Sequence, residues 1–357
     1  MQRVPPDERA TAGIFPENDG PERIEPDLWR IPLPLPFALR SANVYLLGDV
    51  DQGYTLVDSG FGLPADEAAL RAGLEHAGVR LDQITALILT HAHPDHIGLS
   101  GPIHAAANSC PVYMLAGENS RMFDVWREDA PAFAALDAAY AANGLSADDV
   151  RRGRSGSMRT RAILRLPPPS AVRTLEDGEE LRLGGHAYQV IWTPGHSDYH
   201  MCLLRDDGLF IAGDHILPGI TPNIGWYPNA RPDPLGDYYA ALERVRDLPA
   251  RLVLPGHRRP FAALAQRVDE LRDHHIERAE RILGILAGHP GGLHAMAVAK
   301  ALFGGRLTSH DDRRFALAET LAHLEHLLLA GRITREEREG IVRYSTVGGV
   351  VPAALAR

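Results

Sequence analysis

Chemistry in this chain is concentrated in one heptapeptide, Thr90-His91-Ala92-His93-Pro94-Asp95-His96, which directly follows the apolar run ALIL. Spaced two residues apart on an extended segment, His91 and His93 can point to the same side, while the turn imposed near Pro94 swings Asp95 and His96 toward a neighbouring point. Two adjacent cation sites could form there, because neutral imidazoles suit zinc and other late divalent ions and a carboxylate adds an anionic oxygen. The same logic recurs at three other places. Thr193-Pro194-Gly195-His196 follows YQVIW, Gly213-Asp214-His215 follows LFIA, and Pro255-Gly256-His257 follows RLVL. Each time a buried strand ends in a turn that presents an imidazole or a carboxylate.

These turns need a scaffold of strands and helices. From Leu28 to about Val57 short apolar runs punctuated by Asp, Gly and Pro predict a β-rich opening. Residues 64–78 have helical spacing with a glycine stop, and residues 84–90 have the apolar character of a buried strand. A helix at 102–107 and a strand at 111–115 continue the alternation. An Ala-rich, Arg-tailed helical insertion over 118–160 interrupts it, as a surface excursion or as a lid over a pocket. Strands return at 181–183, 187–193, 201–205 and 209–212. The expected division is a catalytic domain over 1–262, then a linker helix and a small domain over 263–357 whose helix, helix and hairpin suggest a winged-helix-like module.

Composition narrows the function. Hydrophobic residues make up 45% and charged residues 23%, as in folded globular proteins, and no apolar run approaches the ~20 residues of a membrane span. No export signal is read in the first residues, so the expectation is a cytoplasmic protein without membrane partners. The formal charge of -9 disfavours indiscriminate polyanion binding. With 13 Lys+Arg against 12 Asp+Glu, residues 265–357 lack the basic face of a DNA reader, which favours packing or homodimerisation for that module. Cys110 and Cys202 are too few for a disulfide framework or a thiolate zinc site, so any metal must use His and carboxylates.

Through HAHPDH, TPGH, AGD and PGH in that order, the chain resembles the metallo-β-lactamase superfamily of hydrolases over about residues 25–260. The stretches from TPGHSDYHM to the tail FALAETLAHLEHLLLAGRI are similar to the branch with a C-terminal winged-helix-like extension, the β-lactamase-like protein 2 type. The resemblance implies an α+β fold, an αββα sandwich of two mixed sheets with helices outside and metals at one edge. It assigns His91, His93 and His196 to a first metal, Asp95, His96 and His257 to a second, and Asp214 to a bridge between them, which makes Asp95 and Asp214 the catalytic carboxylates. It places Asp58 near the metals, where a carboxylate can orient a ligand histidine; a turn Asp is the plainer reading. His200 could support the site or face substrate, and Asn223, Trp226 and Tyr227 in the aromatic, proline-rich stretch after Asp214 could touch substrate or simply pack.

Two divalent ions, zinc first with iron or manganese as alternatives, then make a bridging hydroxide the expected nucleophile. The branch implied includes β-lactamase-like hydrolases and an endoribonuclease, and thioesterases and lactonases share the core, so the motifs set the reaction type and leave the substrate open. Hydrolysis of an ester, thioester or lactone of a small molecule is the first expectation. Single-strand RNA or phosphodiester cleavage, with backbone contacts from the region Arg151 to Arg173, is the second. A noncatalytic regulator that keeps the fold is the third.

Overall fold

The computed structural model describes residues 20–36, 39–126 and 131–347. The N-terminal residues read for an export signal, part of the 118–160 insertion and the last ten residues lie outside that set. The chain divides into two compact units, one of Met1–Trp126, Thr160–Pro222 and Val245–Arg267, the other of Arg127–Arg159, Asn223–Arg244 and Val268–Arg357.

In the first unit, β1 (Glu22–Glu25), β2 (Leu28–Pro34), β3 (Ser41–Asp49), β4 (Gly53–Val57), β5 (Ile84–Ile88), β6 (Val112–Leu115) and β7 (Val172–Leu175) form one sheet in chain order. Neighbours from β1 to β4 pair antiparallel and those from β4 to β7 parallel, so the sheet is mixed. The second sheet, also mixed, has the order β12 (Leu252–Pro255), β11 (Leu209–Gly213), β10 (Met201–Arg205), β9 (His186–Trp192), β8 (Glu180–Leu183). Only β11 and β12 are parallel within it.

Strand β3 shows why the sheets stack. Its side chains alternate between faces, and both faces are buried: Val44 and Leu46 enter a core with Leu70 and Leu74 of α1 (Pro64–His76) and Ile103 of α3 (Ser100–Ala106), while Tyr45 and Leu47 enter a core with Tyr188, Val190, Leu203 and Ile211 of the second sheet. Each fully buried leucine contributes roughly 1.5–3 kcal/mol. Helix α1 starts with proline at its first position, the Asp66 carboxylate accepts the Leu63 N–H at 3.0 Å, and Gly73 lets the helix lie against Ile31, whose Cγ2 would be 2.4 Å from an added Cβ. Between β5 and α3, α2 (Pro94–Ile97) is a single turn, and α4 (Ala116–Trp126) follows β6 directly.

The second unit has its own core, where Tyr140 of α5 (Pro131–Ala142) and Leu145 meet Ile282 and Leu286 of α8 (Leu264–Ala287), Val298 and Leu302 of α9 (Ala295–Phe303), Leu317, Leu321 and Leu324 of α10 (His310–Leu329), and Tyr344. Helix α10 is opened by Ser309, whose Oγ accepts the Asp312 N–H at 3.0 Å while the Asp312 carboxylate accepts the Ser309 N–H at 2.7 Å. The expected C-terminal hairpin is β13 (Ile333–Arg338) paired with β14 (Ile341–Thr346). Helices α6 (Ala147–Ile163) and α7 (Pro234–Arg246) complete the chain. Among the described residues no helix is long and apolar enough to cross a membrane.

Candidate metal centre

Loops at the ends of β4, β5, β9, β11 and β12 converge because backbone hydrogen bonds stitch them together. Thr90 O accepts from Met201 N at 3.0 Å, Gly213 O from Gly256 N at 2.7 Å, Gly256 O from Asn43 N at 2.7 Å and Ile88 O from Asp58 N at 2.7 Å. The result is one cluster of seven side chains. In a first group, His91 Nε2 lies 3.0 Å from His93 Nδ1, which lies 2.8 Å from His196 Nε2. In a second group the Asp95, His96 and His257 donor atoms fall within 4.8 Å of one another. Asp214 stands between them, with Oδ2 3.5 Å from His196 Nε2 and 3.1 Å from His257 Nε2, and Oδ1 3.6 Å from His96 Nε2.

The remaining ring nitrogens set the tautomers. Thr90 Oγ1 lies 3.0 Å from Asp58 Oδ2, to which it donates, so His91 Nδ1–H donates to Thr90 Oγ1 at 3.0 Å. His96 Nδ1–H donates to Asp58 Oδ2 at 2.8 Å, and His257 Nδ1–H donates to Ser41 O at 2.8 Å. In the neutral form of all three rings the lone pair is therefore on Nε2, aimed into the cluster. His200 works in the opposite sense: its Nδ1 bonds Thr193 Oγ1 at 2.8 Å and its Nε2 accepts the Asp214 N–H at 3.1 Å, so it holds the backbone of Asp214. Asp58 reaches its place through a left-handed backbone at φ +61, a conformation Asp tolerates better than most residues, and its Oδ1 also accepts the Thr90 N–H at 2.8 Å.

Charge is distributed unevenly. Burial, with the neighbouring imidazoles, holds His91, His93 and His200 well below the ordinary histidine range, so they are neutral. Burial opposes charge on His96 and His257 too, but Asp214, Asp58 and Asp95 overcome it for His96, and Asp214 and Asp95 push His257 up to about 8. Burial would raise Asp214, yet His257 and His96 hold it well below the usual carboxylate range.

This donor set fits divalent cations. His96 Nε2, His257 Nε2 and Asp214 Oδ1 are buried without a hydrogen bond, and each such group costs about 1–3 kcal/mol when left unsatisfied. Ligand nitrogens on a tetrahedral zinc with bonds near 2.05 Å stand about 3.3 Å apart, slightly wider than the spacings of the first group. The side chains of the site crowd position 256, where a Cβ would be 2.2 Å from Asp214 Oδ1 and 2.9 Å from His96 Cε1, so glycine fits there.

Several contributors have no signature in sequence. Glu118 at the start of α4 is 1% exposed and accepts the Ala92 N–H at 2.7 Å and the Ser197 hydroxyl at 2.5 Å. Asn43 Nδ2 donates to Pro255 O at 2.8 Å and Arg258 O at 2.7 Å, and the Tyr45 hydroxyl to Pro255 O at 2.8 Å, which fixes the loop bearing His257. Only their burial and reach across the fold reveal them. His215, which follows Asp214, is buried with its ring 6.1 Å from that of His200. Asn223, Trp226 and Tyr227 belong to the second unit, where Trp226 packs against the core, its N–H donates to Ala318 O at 3.0 Å, and Asn223 Nδ2 lies 3.4 Å from Phe315 O.

Fold and site together define a metallo-hydrolase scaffold. Residues 38–257 match the model of the metallo-beta-lactamase superfamily, and the chain belongs to that family. Residues 280–347 match the metallo-beta-lactamase-like C-terminal domain. The chain is 34% identical to a metallo-beta-lactamase family protein of known structure from Thermus thermophilus, with 91% of this chain and 100% of that one covered and a TM-score of 0.79. It is 26% identical over 331 residues to the probable metallo-hydrolase YqjP of Bacillus subtilis, covering 90% of this chain and 98% of the relative. It is 28% identical over 248 residues to an acyl-coenzyme A thioesterase of Bos taurus, covering 67% and 80%. The chain is thus a metal-dependent hydrolase of this superfamily.

Proposed function

We propose that the chain is a dinuclear hydrolase that cleaves the carbonyl of a small ester, thioester or lactone, with a thioester as the favoured substrate. One observation carries the reading: Asp214 lies within 3.6 Å of imidazoles from both donor groups, the position of a carboxylate shared by two ions. His91, His93 and His196 would hold one ion, and Asp95, His96 and His257 the other. Zinc suits this set of imidazoles and carboxylates best, ahead of iron or manganese. When bound, two such ions supply Lewis acidity and activate water for attack.

The chain's own residues prepare that chemistry. Asp58, Thr90 and the Ser41 carbonyl orient three imidazoles, and His200 holds Asp214 by its backbone. Asp95, with its side chain 18% exposed, is the carboxylate open to solvent and so to a proton from the reaction. The named activity of the bovine relative favours the thioester within the carbonyl class.

The phosphodiester reading has weaker support. Of the arginines meant to grip a nucleic-acid backbone, Arg151 and Arg152 pair with Asp148, and Arg154 pairs with Asp137. The exposed residues Arg335, Glu336, Glu337 and Arg338 of β13 balance two cations with two acids, which does not make a basic wing. Metal analysis together with a thiol-release assay on short acyl thioesters tests the proposal. Two ions per chain and turnover abolished in Asp214→Ala are expected; a single ion, intact turnover in that variant, or cleavage of RNA without any thioester hydrolysis overturns it.

A further inference from the structure

We propose that Glu118 is a positioning residue that clamps the His91–His93 loop to the His196–His200 loop, so that the first donor group is assembled before a cation arrives. The inference rests on the metal-centre reading above. Its carboxylate is buried and bridges the two loops: Oε1 accepts from Ala92 N at 2.7 Å and Ser197 Oγ at 2.5 Å, and Oε2 from Tyr199 N at 3.2 Å. Ala92 separates His91 from His93, Ser197 follows His196, and Tyr199 precedes His200.

The rest of α4 reinforces the grip. One turn on, Arg121 Nη1 donates to Asp198 Oδ2 at 2.5 Å, and Trp126 Nε1 donates to Ala92 O at 3.1 Å. Ala92 is therefore held at both its N–H and its carbonyl, and three consecutive residues of the other loop are held as well. Gly117 brings the helix flush against the Tyr199 ring, which would lie 2.4 Å from an added Cβ.

Such a clamp answers a physical need. Without a cation, one proton shared among the facing nitrogens of His91, His93 and His196 can bridge only one of the two contacts at 2.8–3.0 Å, and the other contact pushes the loops apart unless something else fixes the spacing. The second donor group has separate supports, Asp58 on His96 and the Ser41 carbonyl on His257. Loss of Glu118 should therefore weaken one ion site and spare the other.

Cobalt titration followed by its visible absorption, with metal analysis after dialysis, reads this directly in the full-length protein. Partners that fix metal ligands typically matter 10–100-fold in affinity, so Glu118→Ala should weaken one of two binding steps by about that factor and leave the other unchanged. Glu118→Gln keeps the size but turns an N–H donor toward Tyr199 N, and should lie between; it also serves if the alanine variant does not fold. Two wild-type binding steps in the glutamine variant, or equal weakening of both steps with a lowered melting temperature of the chelated protein, overturn the clamp. Failure of the wild-type chain itself to bind two ions overturns the metal-centre reading instead.

Discussion

Replacing Gly256 with alanine puts a methyl group into the tightest part of the site. The added Cβ would sit 2.2 Å from Asp214 Oδ1, 2.9 Å from His96 Cε1 and 3.2 Å from the carbonyl carbon of Gly213. Restoring a 3.4 Å contact requires the Asp214 carboxylate to retreat by about 1.2 Å. It cannot do so freely, because its backbone N–H is held by His200 at 3.1 Å and its Oδ2 lies 3.1 Å from His257. A displacement of about 1 Å at a reacting centre can cost roughly 100-fold in rate, and overpacking a tight interior costs about 1–3 kcal/mol. Gly256→Ala should therefore keep its circular dichroism, melt a few degrees lower, and lose about two orders of magnitude in kcat/KM, with one ion less per chain by metal analysis. Wild-type turnover with a full complement of ions would refute the claim that Asp214 is shared between the donor groups.

Other supports of the site can be probed in the same way. Asp58→Ala removes the acceptor of His96 Nδ1 and of the Thr90 N–H, and competition with a chromophoric chelator should show metal affinity about 10–100-fold weaker; unchanged affinity would make Asp58 a mere turn residue. Raised proton affinity at His96 and His257 stabilises the metal-free fold, fully so below the ordinary histidine value near 6.5, and the His257 share is lost as pH rises through about 8. Calorimetry of the chelated protein should accordingly show a lower melting temperature at about pH 9 than near pH 6.5, while metal affinity moves the other way because ions compete with those protons. A melting temperature that does not fall across that window would show that the carboxylates do not charge these imidazoles. In the second unit, Leu324→Ala in the fully buried stripe of α10 should cost about 2–5 kcal/mol by denaturant titration.

The chain announces its chemistry because metal binding needs particular atoms at particular turns. HAHPDH, TPGH, GDH and PGH each follow a run apolar enough to be a buried strand, and both the donor types and their strand exits can be read from periodicity and punctuation. Strands β3 to β6 and helices α1, α8 and α10 were legible for the same reason. Strands β1 (ERIE) and β7 (VRTL) are interrupted by charged and polar residues, so neither shows the apolar run that marks the equally short β6 (VYML). Helix α7 has no counterpart among the elements expected from the sequence, and it carries Tyr238, which is fully buried.

Tertiary structure decided the distances. Nothing in the local sequence brings His196, Asp214 and His257 to His91 and His96; that takes the pairing of β9 with β10 and of β11 with β12, and the packing of two sheets through Tyr45, Tyr188 and Leu203. Nor could the sequence single out Glu118, Asn43 or Tyr45, since a carboxylate, an amide or a phenol has no pattern that names its partner. A ligand's identity is a property of one residue, whereas a coordination distance belongs to loops far apart in the chain, and those are fixed only when long-range burial and hydrogen bonding close the fold around them.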